Sequence, residues 1–136
     1  MALWKSAPVT WNPNESSVPA PVSPARLSDA QTGNGASTNQ VDRGPYAGAA
    51  LIQIVSTVGA TPTVTVSIEG SIDLASWFPI PYADIATPGT VTVATFTITT
   101  ATTTRKIVQP NVPVRYLRLN YTANTNVTLT ADVAVA

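Results

Sequence analysis

Three carboxylates, Glu69, Asp73 and Asp84, and five rings, Trp77, Phe78, Tyr82, Tyr116 and Tyr121, are the side chains whose types could do chemistry in the C-terminal part of this chain. Paired carboxylates can act as general acid and base or as calcium ligands, and a row of rings can stack on sugars. Each role needs companions. A calcium loop requires several oxygen ligands at tight spacing, and no Asp-x-Asp-x-Asp-Gly run is present. Asp73, in Gly70-Ser-Ile-Asp-Leu-Ala-Ser-Trp77, reads instead as a turn residue that binds its own backbone. The chain has no histidine and no cysteine. The commonest general base, the commonest metal ligand and every thiolate are therefore missing. Serine and threonine hydroxyls are plentiful but have no base to activate them. The expectation is a protein that is not an enzyme, with no catalytic residues, no metal and no cofactor. Most rings in a domain this small belong to its core, so sugar stacking is the lesser alternative.

The elements that would position these residues begin near Gly48, where the character of the sequence changes. From Ala49 onward the chain alternates Thr, Val, Ala and Ile and carries only eight charged side chains. Eighteen of its twenty-one threonines fall from Thr57 on, as suits pleated, half-buried strands. Strands are predicted over Ala49–Thr57, ending at Val58-Gly59, and over Thr63–Glu69, with Val64, Val66 and Ile68 on one face. Val91–Thr99 shifts its apolar phase from Val91 and Val93 to Phe96 and Ile98. That shift implies a bulge near Ala94-Thr95 or a strand covered on both faces. Arg105–Val108 is short and reads as an edge. Val114–Tyr121 and Asn126–Val135 alternate cleanly. About seven strands and no helical pattern predict an all-β chain, a single antiparallel β-sandwich of jelly-roll or Ig-like type over residues 49–136.

Residues 1–48 form the other part, expected to be a long extended N-terminal arm. Half of the twelve prolines lie here, removing backbone donors and favouring extended geometry. Val18-Pro-Ala-Pro-Val-Ser-Pro24 reads as polyproline-like. Gln31-Thr-Gly-Asn-Gly-Ala-Ser-Thr-Asn-Gln40 reads as flexible. Unlike an ordinary linker the arm carries apolar anchors, Trp4, Trp11, Val18, Val22 and Leu27. They dock either on a neighbouring subunit or back over the chain's own domain.

Charge limits the partners. Only 10% of residues are charged and the net charge is zero, against about 25% charged residues in typical soluble domains. A surface this poor in charge is expected to be covered in part by neighbours. The basic residues of the domain, Arg105, Lys106, Arg115 and Arg118, are balanced by acids, so nucleic acid is not an expected partner. The start of the chain does not read as a signal peptide, and no stretch has the apolar length of a membrane span. Arg115 and Arg118 flank Tyr116, and these three are candidate oligomer or partner contacts; the arginines bridge to a neighbour's carboxylates or simply solvate a face.

Two segments carry a resemblance. Val64-Thr-Val-Ser-Ile-Glu-Gly-Ser-Ile-Asp-Leu-Ala-Ser-Trp77 contains a strand that enters a GS-x-D-x-x-x-W turn. Val114-Arg-Tyr-Leu-Arg-Leu-Asn-Tyr-Thr-Ala-Asn-Thr-Asn126 contains a Y-x-R-L strand leading into a T-N hairpin. Together they resemble small β-sandwich virion proteins of tailed bacteriophages, although Leu74 stands where a glycine usually follows the turn aspartate. The resemblance implies a capsid decoration (cement) protein. Such proteins sit as homotrimers on the outer capsid surface of the virion, bind the major capsid protein and brace neighbouring subunits through extended arms. It also implies synthesis in the bacterial host cytoplasm. The alternatives are a tail, baseplate or head-fibre module, or a carbohydrate-binding β-sandwich module.

Overall fold

Ile52, Ile54, Val64, Val66 and Ile68 all occupy even positions, and this shared parity turns two expected strands into one. The computed structural model describes residues 25–44 and 48–135. These form ten strands: β1 (Ala25–Gln31), β2 (Gly35–Ala36), β3 (Val41–Asp42), β4 (Ala50–Ser71), β5 (Phe78–Pro79), β6 (Tyr82–Asp84), β7 (Thr87–Thr92), β8 (Phe96–Ile98), β9 (Thr103–Val108) and β10 (Tyr116–Val135). There is no helix among the described residues. All strands join one antiparallel sheet whose main path runs β1-β10-β4-β9-β6-β7, with β2 and β3 also on β10 and β5 and β8 also on β4.

The spine is the pair β4 and β10. Partners run from Tyr116 and Ser71 to Thr122 and Thr65, then from Val127 and Val58 to Val135 and Ala50. Between the two stretches five steps along β10 face seven along β4. Extra residues on one strand bend the ladder there. Thr61, Ala123 and Asn126 take positive φ at this bend. The Asn124 side chain holds both backbone groups of Val127, at 3.0 and 3.1 Å, and the Asn126 amide donates to the Ala60 carbonyl at 2.6 Å. Gly59 makes the close approach possible, since a Cβ there would lie 3.2 Å from that of Asn126.

The bend folds the sheet onto itself. Ile52 and Ile54 on one side of it, and Val64, Val66 and Ile68 on the other, enter the same core with Leu117, Leu119, Tyr121, Leu129 and Val133 of β10. The result is the all-β sandwich expected, made by folding one sheet. The expected turn at Val58-Gly59 and the expected T-N hairpin are instead bends inside continuous strands. Even spacing across each bend keeps the core residues on both sides of it on the inner face, so the strands do not need to end.

Three other expectations are corrected. β9 is not an edge, because it lies between β4 and β6. The phase shift in Val91–Thr99 is neither a bulge nor double coverage: the chain leaves β6 after Thr92 and pairs with β4 from Phe96. The Tyr82 hydroxyl donates to the Ala94 carbonyl at 2.6 Å and pins that corner. Finally, the β-sheet begins at Ala25 rather than at residue 49. β1, β2 and β3 all pair with β10, and Leu27, an anchor expected to dock either on a neighbouring subunit or back over the chain's own domain, takes the second course and is fully buried in this chain's own core. The tract read as flexible is tied down by its polar side chains. Gln31 Oε1 accepts from the Ser28 hydroxyl at 2.9 Å and the Thr38 amide at 3.2 Å. Ser37 exchanges bonds with Leu119 at 2.7 and 3.1 Å. Trp4, Trp11, Val18 and Val22 lie outside the described residues.

Candidate interaction surface

The three carboxylates do not assemble into one site. Glu69 accepts from Arg118 Nε at 2.8 Å. Asp73 accepts from the amides of Ala75 and Ser76, both at 2.9 Å, and from the Ser71 hydroxyl at 3.1 Å. These donors hold its carboxyl below the usual range, led by the Ser76 and Ala75 amides. Asp73 is thus the turn residue its sequence context suggested, and Leu74 beside it takes the left-handed φ of 65° that a glycine would adopt more easily. Asp84 accepts from the Ala86 amide at 3.0 Å and from Lys106 Nζ at 2.9 Å, and both lower its pKa. No group of three or more acids able to hold a metal ion occurs among the described residues.

The rings do not form a platform either. Tyr82 and Tyr121 are buried, and burial pushes the Tyr121 hydroxyl up to about 12. Arg118 lies over the Trp77 ring at 4.3 Å from its centroid. Phe78 alone of the five is exposed. Arg118 therefore uses its charge on Glu69 and its flat face on Trp77, an arrangement suited to guanidinium. Arg115 binds both oxygens of Asp42, at 2.9 and 3.0 Å, and lies 5.3 Å from the centre of the Tyr116 ring. The two arginines, expected to meet a neighbour's carboxylates or to solvate a face, are paired inside the chain. With Tyr116 they brace the turn after β4 and the β3–β10 junction.

What remains available is a sheet edge. The main path ends at β1 on one side and at β7 on the other, and the two ends differ. β1 carries Arg26, which bonds Asp132 at 2.6 Å and Asp29 at 3.2 Å, and its register is broken twice. Charges and irregular register are the usual guards of an edge strand. β7 also shifts register, between its Asp84–Thr87 and Ala83–Val91 pairs, but it has no charged residue, and all six of its residues are exposed. Val91 is 50% exposed, and nearby Ile85 and Val93 are 44% and 53% exposed.

Beside β7 runs an open groove of about 640 Å³ lined by Pro81, Pro88, Val91, Pro110, Val112 and Pro113, among others. Its far wall is set by a residue the sequence reading passed over. Arg43 is 5% exposed, and its guanidinium donates to the carbonyls of Val112 at 2.9 Å, Val114 at 3.1 Å, Gln109 at 3.4 Å and Gly48. No carboxylate partners it among the described residues, and its Nε has no partner there. A rigid fork with five donors can gather several carbonyls that a lysine cannot. Nothing in Asp42-Arg43-Gly44 announces this role, because three of the four partner carbonyls lie 66 to 71 positions away.

A second hollow of about 360 Å³ lies at the bend, between Thr57, Val58, Asn126 and Thr128. No helix among the described residues is long and apolar enough to cross a membrane.

No family model matches the sequence, and no curated protein matches it. One solved structure shares the fold. The SPBc2 prophage-derived protein YomS superposes with a TM-score of 0.59 over 83% of this chain and 91% of its own, at 6% sequence identity. At that identity the likeness is one of fold.

Proposed function

We propose that this chain is a non-enzymatic structural protein of a bacteriophage particle, and more specifically a capsid decoration protein. The fold shared with a prophage-derived protein over most of both chains carries the phage reading. Fold alone does not assign a role. The surface adds support: polar side chains are committed to turns and internal ion pairs, while an uncharged edge and an apolar groove stay open. Such a surface suits assembly.

In this reading the protein binds the major capsid protein on the outer head, associates as a homotrimer, and holds neighbouring subunits through its N-terminal arm. The arm is residues 1–24, since β1 starts at Ala25. Many modest contacts repeated by the symmetry of the shell would then sum to firm attachment. Gold labelling of a tagged copy on intact particles tests the location. Label over the heads supports decoration. Label over the tail would move the protein to the tail, baseplate or fibre alternative, and absence from particles would overturn the virion reading. Nothing in the described surface favours sugar binding, because Trp77 is covered by Arg118.

A further inference from the structure

We infer that Asn34 is a site of self-modification, where the Gly35 backbone nitrogen attacks the asparagine side chain and leaves aspartate or isoaspartate. The isoaspartate form releases the corner that spans the bend of β10. The change needs no enzyme and no partner, only water.

Of the eight asparagines, Asn34 alone precedes a glycine. A five-membered imide forms when the next residue's nitrogen reaches the asparagine Cγ, and a Cβ on that residue crowds the approach. Asn34 is exposed between Gly33 and Gly35, and a Cβ at either glycine would meet nothing within 4 Å. The approach is therefore bare on both sides. The Asn34 side-chain oxygen accepts from the Asn124 amide at 2.8 Å. A fixed N–H on that oxygen draws electron density from Cγ and stabilises the negative charge that attack places there. The Gly35 nitrogen is held only while β2, two residues long, stays paired to β10 at Tyr121. So short a ladder opens without unfolding of the sheet. The hollow at the bend, lined by Thr32, Asn126 and Thr128 among others, admits water beside the same corner.

One water enters and one ammonia leaves. The Gly35 nitrogen gives its proton to solvent and bonds Cγ, and the side-chain nitrogen takes a proton back and departs as ammonia. Water then opens the imide. Opening at Cγ yields aspartate, which still offers a carboxylate oxygen to the Asn124 amide. Opening at the main-chain carbonyl yields isoaspartate, in which the chain runs through the former side chain and gains a methylene. That shift carries the acceptor away from Asn124 and puts β2 out of register with Tyr121 and Asn120. The corner matters because it spans the bend. Gln31 pairs with Leu129 on one side of it and Gly35 with Tyr121 on the other. Asn124 in turn holds Val127 through its side chain. Either product also adds a negative charge to a chain whose net charge is zero.

Ageing the full-length protein in mildly alkaline buffer tests this. Peptides are followed by mass spectrometry, and isoaspartate is counted with an isoaspartyl methyltransferase. Conversion at residue 34 is expected to run at least tenfold faster than at any other asparagine, giving both products, which chromatography separates. Gly35→Ala should slow it at least tenfold. Alanine at φ 114° is itself strained, so the comparison is repeated in urea, where the fold has no part and the same slowing is expected. Hydrogen exchange at Gly35 and Asn124 should rise at least tenfold in the isoaspartate form and stay at the parent level in an Asn34→Asp variant. Another asparagine converting first would overturn the inference. So would a Gly35→Ala chain that converts at the parent rate in urea, or equal exchange in the isoaspartate form and the Asn34→Asp variant.

Discussion

The Ser28 hydroxyl lies 2.9 Å from the hydroxyl of Tyr121, tying a residue ahead of the Gly48 boundary to the largest side chain buried in the core. Ser28 also bonds Gln31, so Tyr121→Phe leaves it one partner and should cost only about 1 kcal/mol at neutral pH. The larger effect is on the pH profile. The folded-state pKa of Tyr121 is raised to about 12 from 10. Its contribution is therefore fully present below pH 10 and is lost as pH rises toward 12. Asp42, Asp73 and Asp84 are shifted the other way, Asp42 chiefly by Arg115. Their contribution is present above the unfolded carboxylate range and falls away as pH drops through the folded values. With no histidine in the chain, urea midpoints should be flat from about pH 5 to 9. Tyr121→Phe should weaken the alkaline limb and spare the acid one. An unchanged alkaline limb would contradict the burial argument.

Leu27→Ala is expected to destabilise by about 2–5 kcal/mol, as for other fully buried leucines. Were Leu27 an arm anchor for a partner, the isolated protein would not register the change. Urea unfolding of the two proteins decides.

Leu74 sits at φ 65° in the turn capped by Asp73. The left-handed conformation costs an L-residue about 1–2 kcal/mol, which Leu74→Gly relieves against the entropy that glycine brings. Calorimetry should show a melting temperature that is equal or a few degrees higher. Leu74→Val, with a branched Cβ at the same φ, should melt lower. Equal melting of the two variants would show that the turn does not hold residue 74 in this conformation.

Arg43→Met should cost about 2–4 kcal/mol by leaving buried carbonyls without donors. Hydrogen exchange should rise first in residues 109–114. Exchange spread evenly over the sheet would mean that Arg43 does not position the groove wall.

Much of this fold was legible because alternation is local. Val64, Val66 and Ile68, or Leu129, Ala131 and Val133, declare an inner face within six residues. The bends were not legible, since a turn and a bend both follow residues such as Val58-Gly59, and only cross-strand register separates them. β1 hid because Leu27 is its one large apolar residue and its two register breaks erase the alternation. Arg43 hid for another reason: its partners are carbonyls, which no sequence pattern marks. The turn chemistry of residues 70–77 anticipated the Asp73 cap, and strand alternation anticipated the all-β sandwich. Decoration of a capsid remains a proposal that binding must test.

The central claim is that the arm holds the partner while residues 25–135 fold alone. The direct measurement is co-sedimentation of full-length protein and of a protein lacking residues 2–24 with particles prepared without this chain. The deletion stops at 24 because removing more would take β1 and Leu27 from the core. Equal circular dichroism and melting, with binding by the truncated protein reduced at least a hundredfold, is the predicted result. Undiminished binding by the truncated protein would contradict the claim.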